Sequence, residues 1–367
     1  MLESLEADRA FLAQKLQKDA EILDLKAQIY ALEQSISALV AAKKPVQARL
    51  DAYKYPVLTL PNEIVSEIFL HFLPAYPEPP PLVGLLSPLC LSYVCRSWRG
   101  IAQATPALWR AIDLTQTEMG GSRMELCVPL LDYWLSSSGG CPISIHATDY
   151  EDSAPVISAL TPYLSRGPEH LKLTAKSASQ LSDMEAPMPL LCTLHLRFSE
   201  SVAIPHIFPD SPLLRAVVLE DYAVRSISLP WLQLTSLTLR DAFFDDCLSV
   251  LQQTTNLLHC TLLVWIQSAP QTEAVLPSLE TLVIERGSNS RVEVLSGFNT
   301  PALRCLELPE AFVRPRRALD ADCLQAVNDF IARCGCNFQE LRVTHASSSV
   351  LGSRAFPSVA VITFDRE

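Results

Sequence analysis

The apolar positions of this chain follow three different periods, one after another. In the first, Ile22, Leu25, Ile29, Leu32, Ile36 and Leu39 alternate steps of three and four. That spacing predicts one seam on a helix, with Glu21, Asp24, Lys26 and Glu33 beside it. Leu2, Leu5, Leu12 and Leu16 continue the stripe in a shifted phase, which implies a stammer near Lys18. An apolar seam of this length is not stable when left in water. The helix is therefore expected either to fold back on a later segment or to pair with another chain, a coiled-coil homodimer among the options.

The second pattern is shorter and denser. Leu60-Pro61-Asn62-Glu63 reads as a helix start, with proline at the first position and an acid in the first turn. Ile64, Val65, Ile68, Phe69, Phe72 and Leu73 then form a broad apolar face that ends at Pro74. The run Pro77-Glu78-Pro79-Pro80-Pro81 predicts a stiff loop. Leu91, Val94, Trp98 and Ile101 predict a second helix, and Thr105-Pro106 the start of a third that leads into Leu108, Trp109 and Ile112. Three short helices carry more apolar face than they can bury among themselves, so a lasting partner is expected.

These residues carry a resemblance. Leu60-Pro61-x-Glu63-Ile64-x-x-x-Ile68-Phe69, then Val94-Cys95-Arg96-x-Trp98-Arg99-x-Ile101-Ala102, then Thr105-Pro106-x-Leu108-Trp109 together resemble an F-box. They are similar above all to the F-box proteins with repeats that are abundant in mushroom-forming fungi. In those, a coiled coil leads through a Tyr-x-Tyr-Pro-Val-Leu-like segment, here Tyr53 to Leu58, directly into the F-box. The resemblance implies binding to the Skp-type adaptor of a Skp–cullin–F-box ubiquitin ligase, and through it to the cullin. By motif position, Leu60, Pro61, Ile64 and Ile68 would touch the adaptor, joined by Leu91 and Val94, while Trp98 would lock the module internally. The proline-rich insertion departs from a compact F-box and blurs the start of the second helix.

The third pattern fills the rest of the chain. Pro189-Leu190-Leu191-x-x-Leu194-x-Leu196 returns as Pro212-Leu213-Leu214-x-x-Val217-x-Leu219 and again around Leu239, Leu262, Ile284 and Leu308. From Leu173 onward the last anchors are 23, 23, 20, 23, 22 and 24 residues apart, which is leucine-rich-repeat spacing. Weaker copies stand at Leu341/Val343 and Val359/Ile362/Phe364, and Cys141 to Ile145 is expected to supply a capping strand. In such a solenoid the anchors point inward and the residues between them face the concave surface. That row contains His195, Arg197, Glu220, Arg240, Leu263, Glu285, Glu307 and Arg342, a mixed-charge surface expected to bind a protein substrate. Convex helices are predicted over Asp245 to Gln253 and Asp320 to Arg333, with Gly335 after the second.

The predicted fold class is thus α then α/β: a coiled-coil-type helix over 1–52, a three-helix F-box over 53–115 and a leucine-rich-repeat solenoid over 116–367, with one parallel strand per repeat. Composition narrows what such a chain does. The net charge of −11 falls mainly in the C-terminal part, which disfavours nucleic acid and anionic membranes. The 11 glycines are too few for a phosphate-cradling enzyme, and 27 prolines suit many short punctuated segments. The 11 cysteines are odd in number and scattered, and Cys260 sits at a repeat anchor, so they are read as reduced core residues of an intracellular protein, cytoplasmic or nuclear. The most apolar window, Pro80 to Cys95, is too short to span a membrane. Dispersed histidines and the lone Cys334-x-Cys336 pair point to no metal, and no catalytic residue or cofactor is expected. The expected function is that of a substrate-recognition adaptor of a ubiquitin ligase, not an enzyme. The alternative is a repeat scaffold or inhibitor that does not act through such a ligase.

Overall fold

The computed structural model describes residues 2–52, 59–115, 124–149, 155–164, 167–181, 187–202, 208, 210–267, 269–287, 291–313, 322–334, 338–345, 356 and 359–364. Two units divide the chain, Met1–Val65 and Ser66–Glu367. The Tyr53 to Leu58 segment, His206, Asp320, Gly335 and Cys336 lie outside the described residues.

The first unit contains helix α1, Leu2–Ala52. It also holds the beginning of α2, Asn62–Phe72, where the Pro61 carbonyl accepts the amides of Ile64 and Val65, both at 3.1 Å. From Leu12 to Leu39 the seam predicted on α1 lies in solvent, as do the charged residues beside it.

The second unit continues α2 and adds α3, Pro88–Val94, and α4, Arg96–Gln103. One helix was expected through Leu91, Val94, Trp98 and Ile101, but the backbone is extended at Cys95 and divides it. The Cys95 sulfur accepts the Trp98 amide at 3.5 Å and so caps the new helix. The expected third helix is also replaced. Pro106–Leu108 makes a single 3-10 turn, and β1, Ala111–Leu114, follows. Ala111, Ile112 and Leu114 are buried, and the strand pairs parallel to β2, Ser144–Asp149. The first strand of the sheet is therefore β1, and the predicted cap at Cys141 to Ile145 gives way to the second strand. Between them runs α5, Met124–Ser137.

The remaining elements follow in order: α6, Pro155–Leu164; β3, His170–Ala175; β4, Thr193–Phe198; β5, Ala216–Asp221; and α7, Ala223–Ser226. Then come β6, Ser236–Phe243; α8, Phe244–Leu251; β7, His259–Trp265; β8, Ala274–Val275; and β9, Thr281–Ile284. The last are β10, Phe298–Asn299; β11, Cys305–Pro309; α9, Asp322–Arg333; β12, Glu340–Thr344; and β13, Val361–Phe364. Among the described residues, eleven strands form one parallel sheet in chain order, and β8 and β10 pair separately.

The period-2 pattern explains the sheet. Leu171, Leu173, Leu194, Leu196, Val217, Leu219, Leu237, Leu239, Cys260, Leu262, Leu282, Ile284, Leu306 and Leu308 are all buried on its inner face. The first leucine of each motif, such as Leu191, Leu214 or Leu257, is buried in the turn before its strand. Each such side chain removed from water stabilises the fold by about 1.5–3 kcal/mol. Between successive strands a single carbonyl accepts two consecutive amides of the next rung. Cys192 O takes Arg215 and Ala216 N, Thr235 O takes Leu258 and His259 N, and Glu280 O takes Arg304 and Cys305 N. Helix α6 packs on β2 and α8 on β6. Asp221 and Asp241, just past the outward-facing Glu220 and Arg240, take the left-handed backbone (φ 54° for each), where a short polar side chain is tolerated.

Candidate functional site

The solvent side of the sheet brings together some of the predicted surface residues and separates others. Cα register places Lys172 beside His195, Arg197 beside Glu220, Glu220 beside Arg240, and Arg240 beside Leu263. Glu307 lies between Val283 and Arg342. Arg240 is the hub. Its guanidinium reaches over the β7 residue Leu263 to both oxygens of Glu285, at 2.6 and 3.1 Å, and stands 4.0 Å from Glu220. His195 Nε2 lies 3.1 Å from Glu220 on the other side. That hydrogen bond holds the Glu220 carboxyl below its ordinary value, against the opposing effect of burial. The bond to Glu285 in turn raises the Arg240 guanidinium.

Arg197 and Arg342 each form an ion pair of their own beside this chain. Arg197 binds Asp221 at 2.8 Å, and Arg342 binds Glu340 of its own strand at 2.9 and 3.0 Å. Leu263, Val283, Glu285, Glu307, Thr344 and His345 line a cleft of about 390 Å³ toward the end of the sheet. A surface of this kind can recognise a polar or charged peptide, but much of its charge is already paired within the protein. No group of three or more His, Cys, Asp or Glu side chains among the described residues is placed to hold a metal ion. The described cysteines form no disulfide, and burial pushes the Cys260 thiol up to about 12, in keeping with an apolar core position. No described helix is long and apolar enough to cross a membrane.

The helices before the sheet present the opposite situation. On α2, Val65 and Phe69 are buried one turn apart, whereas Ile64 and Ile68 form a second stripe, 49% and 48% exposed, continued by exposed Phe72. Leu60 and Pro61, just before the helix, are also exposed. Phe69 packs edge-on against Trp98 at 4.9 Å between ring centroids, the internal lock expected of that tryptophan. Below it the Trp109 indole donates to the Ala102 carbonyl at 2.8 Å and meets Trp134 of α5 at 5.2 Å.

Residues 57–115 match the family model for the F-box-like domain. No curated protein matches the chain significantly. The F-box-like domain ends within one residue of β1, so its C-terminal end supplies the first strand of the sheet.

Of the residues singled out from the sequence, Leu91 is placed differently from its expected role. It is only 6% exposed and belongs to the core of the F-box-like domain, whereas Val94 is 61% exposed. The two were expected on one face of a helix that continued to Ile101. The break at Cys95 leaves α3 only two turns, with Leu91 facing in and Val94 facing out. Sequence reasoning missed other exposed apolar residues of the domain: Val83, Leu85, Leu86 and Tyr93. The signal was available in Val83-Gly84-Leu85-Leu86, three apolar side chains around a glycine in the left-handed region (φ 109°).

The proline-rich insertion also does more than space two helices. Pro79, Pro80 and Leu82 are buried, and Pro81 bridges to Asp113 of β1. Tyr76 donates its hydroxyl to Glu169 Oε2 at 2.7 Å. Its ring meets His170 edge-on at 5.2 Å and lies under the Arg110 guanidinium, 3.9 Å from the ring centroid. Burial, and then Glu169, raise the ionisation of this phenol well above its ordinary value. The insertion thereby fastens the F-box-like domain to the first strands of the sheet.

Proposed function

We propose that the protein is a substrate-recognition adaptor of a Skp–cullin–F-box ubiquitin ligase. The F-box-like domain binds the Skp-type adaptor through Leu60, Pro61, Ile64, Ile68 and Val94, and through it the cullin. The parallel sheet is the strand layer of a leucine-rich-repeat solenoid, and its mixed-charge face holds a protein substrate. The protein itself is no enzyme. It acts by proximity, holding a substrate where the ligase can transfer ubiquitin. Its relatives are F-box proteins with repeats of the kind resembled in mushroom-forming fungi.

One observation carries this reading: within the span that matches the F-box-like domain, Ile64 and Ile68 lie half-exposed on one stripe of α2. Apolar stripes of this kind mark surfaces meant to be covered. F-box domains generally bind Skp-type adaptors, which gives the stripe a partner of known class. Support for the solenoid comes from the two-amide carbonyl contact repeated at Glu169, Cys192, Arg215, Thr235, Leu258, Glu280 and Arg304, in step with the leucine spacing. Co-purification with a Skp-type adaptor tests the interface. Replacing Ile64→Asp and Ile68→Asp together is expected to weaken adaptor binding roughly a hundredfold or more, since two apolar anchors are lost and two carboxylates are desolvated. Retained binding by the double variant rejects the interface.

A further inference from the structure

The seam on α1 has a residue-type order as well as a spacing. With Ile22 at heptad position a, Ile29 and Ile36 also fall at a, and Leu25, Leu32 and Leu39 fall at d. All six are between 48% and 67% exposed. Beyond them Val46 at d and Leu50 at a keep the same register, although Pro45 inside the helix separates them from the six-residue seam. The one polar seam residue there, Lys43, can lift its ammonium to solvent on an apolar stem. Isoleucine at a with leucine at d is the combination that packs best in two parallel strands.

We propose that α1 pairs in parallel and in register with α1 of a second copy of this chain. The flanking charges select this occupant. Glu21 holds the g position before Ile22, and Lys26 holds the e position after Leu25. In a parallel in-register pair, g of one helix lies against the e five residues later on the other. Glu21 of each copy therefore meets Lys26 of its mate, twice by symmetry. Five residues within a single helix are about 140° apart, so the same two side chains are not neighbours in one copy. An antiparallel pair sets e against e and g against g and loses the match. Pairing does not depend on the adaptor reading. It would double whatever surface each copy presents and so strengthen weak contacts through avidity.

Sedimentation equilibrium on the full chain, over roughly 1–100 μM, tests the pairing. The unaltered chain is expected to be a dimer, and Ile29→Asp with Ile36→Asp a monomer at every concentration. Glu21→Lys and Lys26→Glu, each alone, place like charges together twice and should weaken the dimer roughly tenfold. Both exchanges in the same chain restore opposite charges across the pair, and dimerisation should return close to that of the unaltered chain. The exchanges swap two residues of similar helix propensity, so a loss of folding does not confuse them. A monomeric unaltered chain overturns the proposal. So does a double exchange that is weaker than either single one, because no parallel in-register contact would then join these positions.

Discussion

The strands of the sheet and the stripe of α2 use the same residue types to opposite ends. In the sheet, alternation buries the inward leucines almost completely, and the outward charges largely find partners on other strands. On α2, Ile64, Ile68 and Phe72 stay in solvent although Val65 and Phe69 of the same helix are buried. Both regions are rich in isoleucine and leucine, yet only the first is satisfied by its own chain. Composition therefore does not tell a core from a contact. The number of faces each element must cover does, since a strand in a parallel array hides one face by default, whereas a short helix hides only the stripe that its neighbours reach.

Truncating one side chain in each region breaks or sharpens this contrast. Leu239 is fully buried in β6, and Leu239→Ala is expected to destabilise the second unit by about 2–5 kcal/mol, through lost transfer free energy and the cavity left behind. Ile68→Ala removes a similar volume from a half-exposed position and should change stability by no more than about 0.5 kcal/mol. Denaturant midpoints measure both. If Ile68→Ala proved as costly as Leu239→Ala, the stripe would be structural and the contrast would collapse.

How much of this was legible in the sequence follows from the same difference. The sheet was readable because period 2 and a step of 20 to 24 residues are repeated many times, so each strand supports the placement of the next. Cys260 could be assigned to the core on position alone, and it is buried between Leu237 and Leu282. The helical region has no such redundancy. A single extended residue, Cys95, split the expected helix in two, and no local propensity announced it. Trp109 and Ile112 fit a helical pattern as well as a strand, and tertiary pairing with β2 decided between them. On the sheet face, the sequence supplied His195, Arg197, Glu220, Arg240 and Glu285 but not their pairing. Arg240 reaches two strands away, a distance that spacing along the chain does not encode.

The clamp at the proline-rich insertion gives a smaller effect at the junction of the two regions. Tyr76→Phe keeps the ring under Arg110 and beside His170 but removes the hydroxyl that reaches Glu169. The expected cost is about 1 kcal/mol, the net worth of one part-buried hydrogen bond. A shift in the denaturant midpoint would show it. Adaptor binding by Tyr76→Phe should be unchanged, because Ile64 and Ile68 are untouched. A large loss of binding instead would mean that the clamp shapes the contact surface, and that the two regions are not energetically separate.

The smallest expected effect concerns acid. Glu220 is held below its ordinary value of 4.5 chiefly by the hydrogen bond from His195, so its carboxylate is more stable in the folded chain than in the unfolded one. That contribution is fully present above the unfolded value and disappears as pH falls through the folded one. Asp241 shifts the other way, raised from 3.8 by burial and by the neighbouring Asp221 and Glu220 carboxylates, so its protonation in the fold relieves repulsion as pH falls. The two effects oppose each other, and the unaltered chain should lose little from this cluster in mild acid. Glu220→Gln separates them. It removes the depressed group and one source of repulsion at Asp241, and it leaves Arg240 bound to Glu285. Thermal midpoints measured from pH 7 down to about 3 should then fall less steeply for Glu220→Gln than for the unaltered chain. An equal or steeper fall would mean that the sheet face does not satisfy this carboxylate, and the contrast with the exposed stripe of α2 would weaken accordingly.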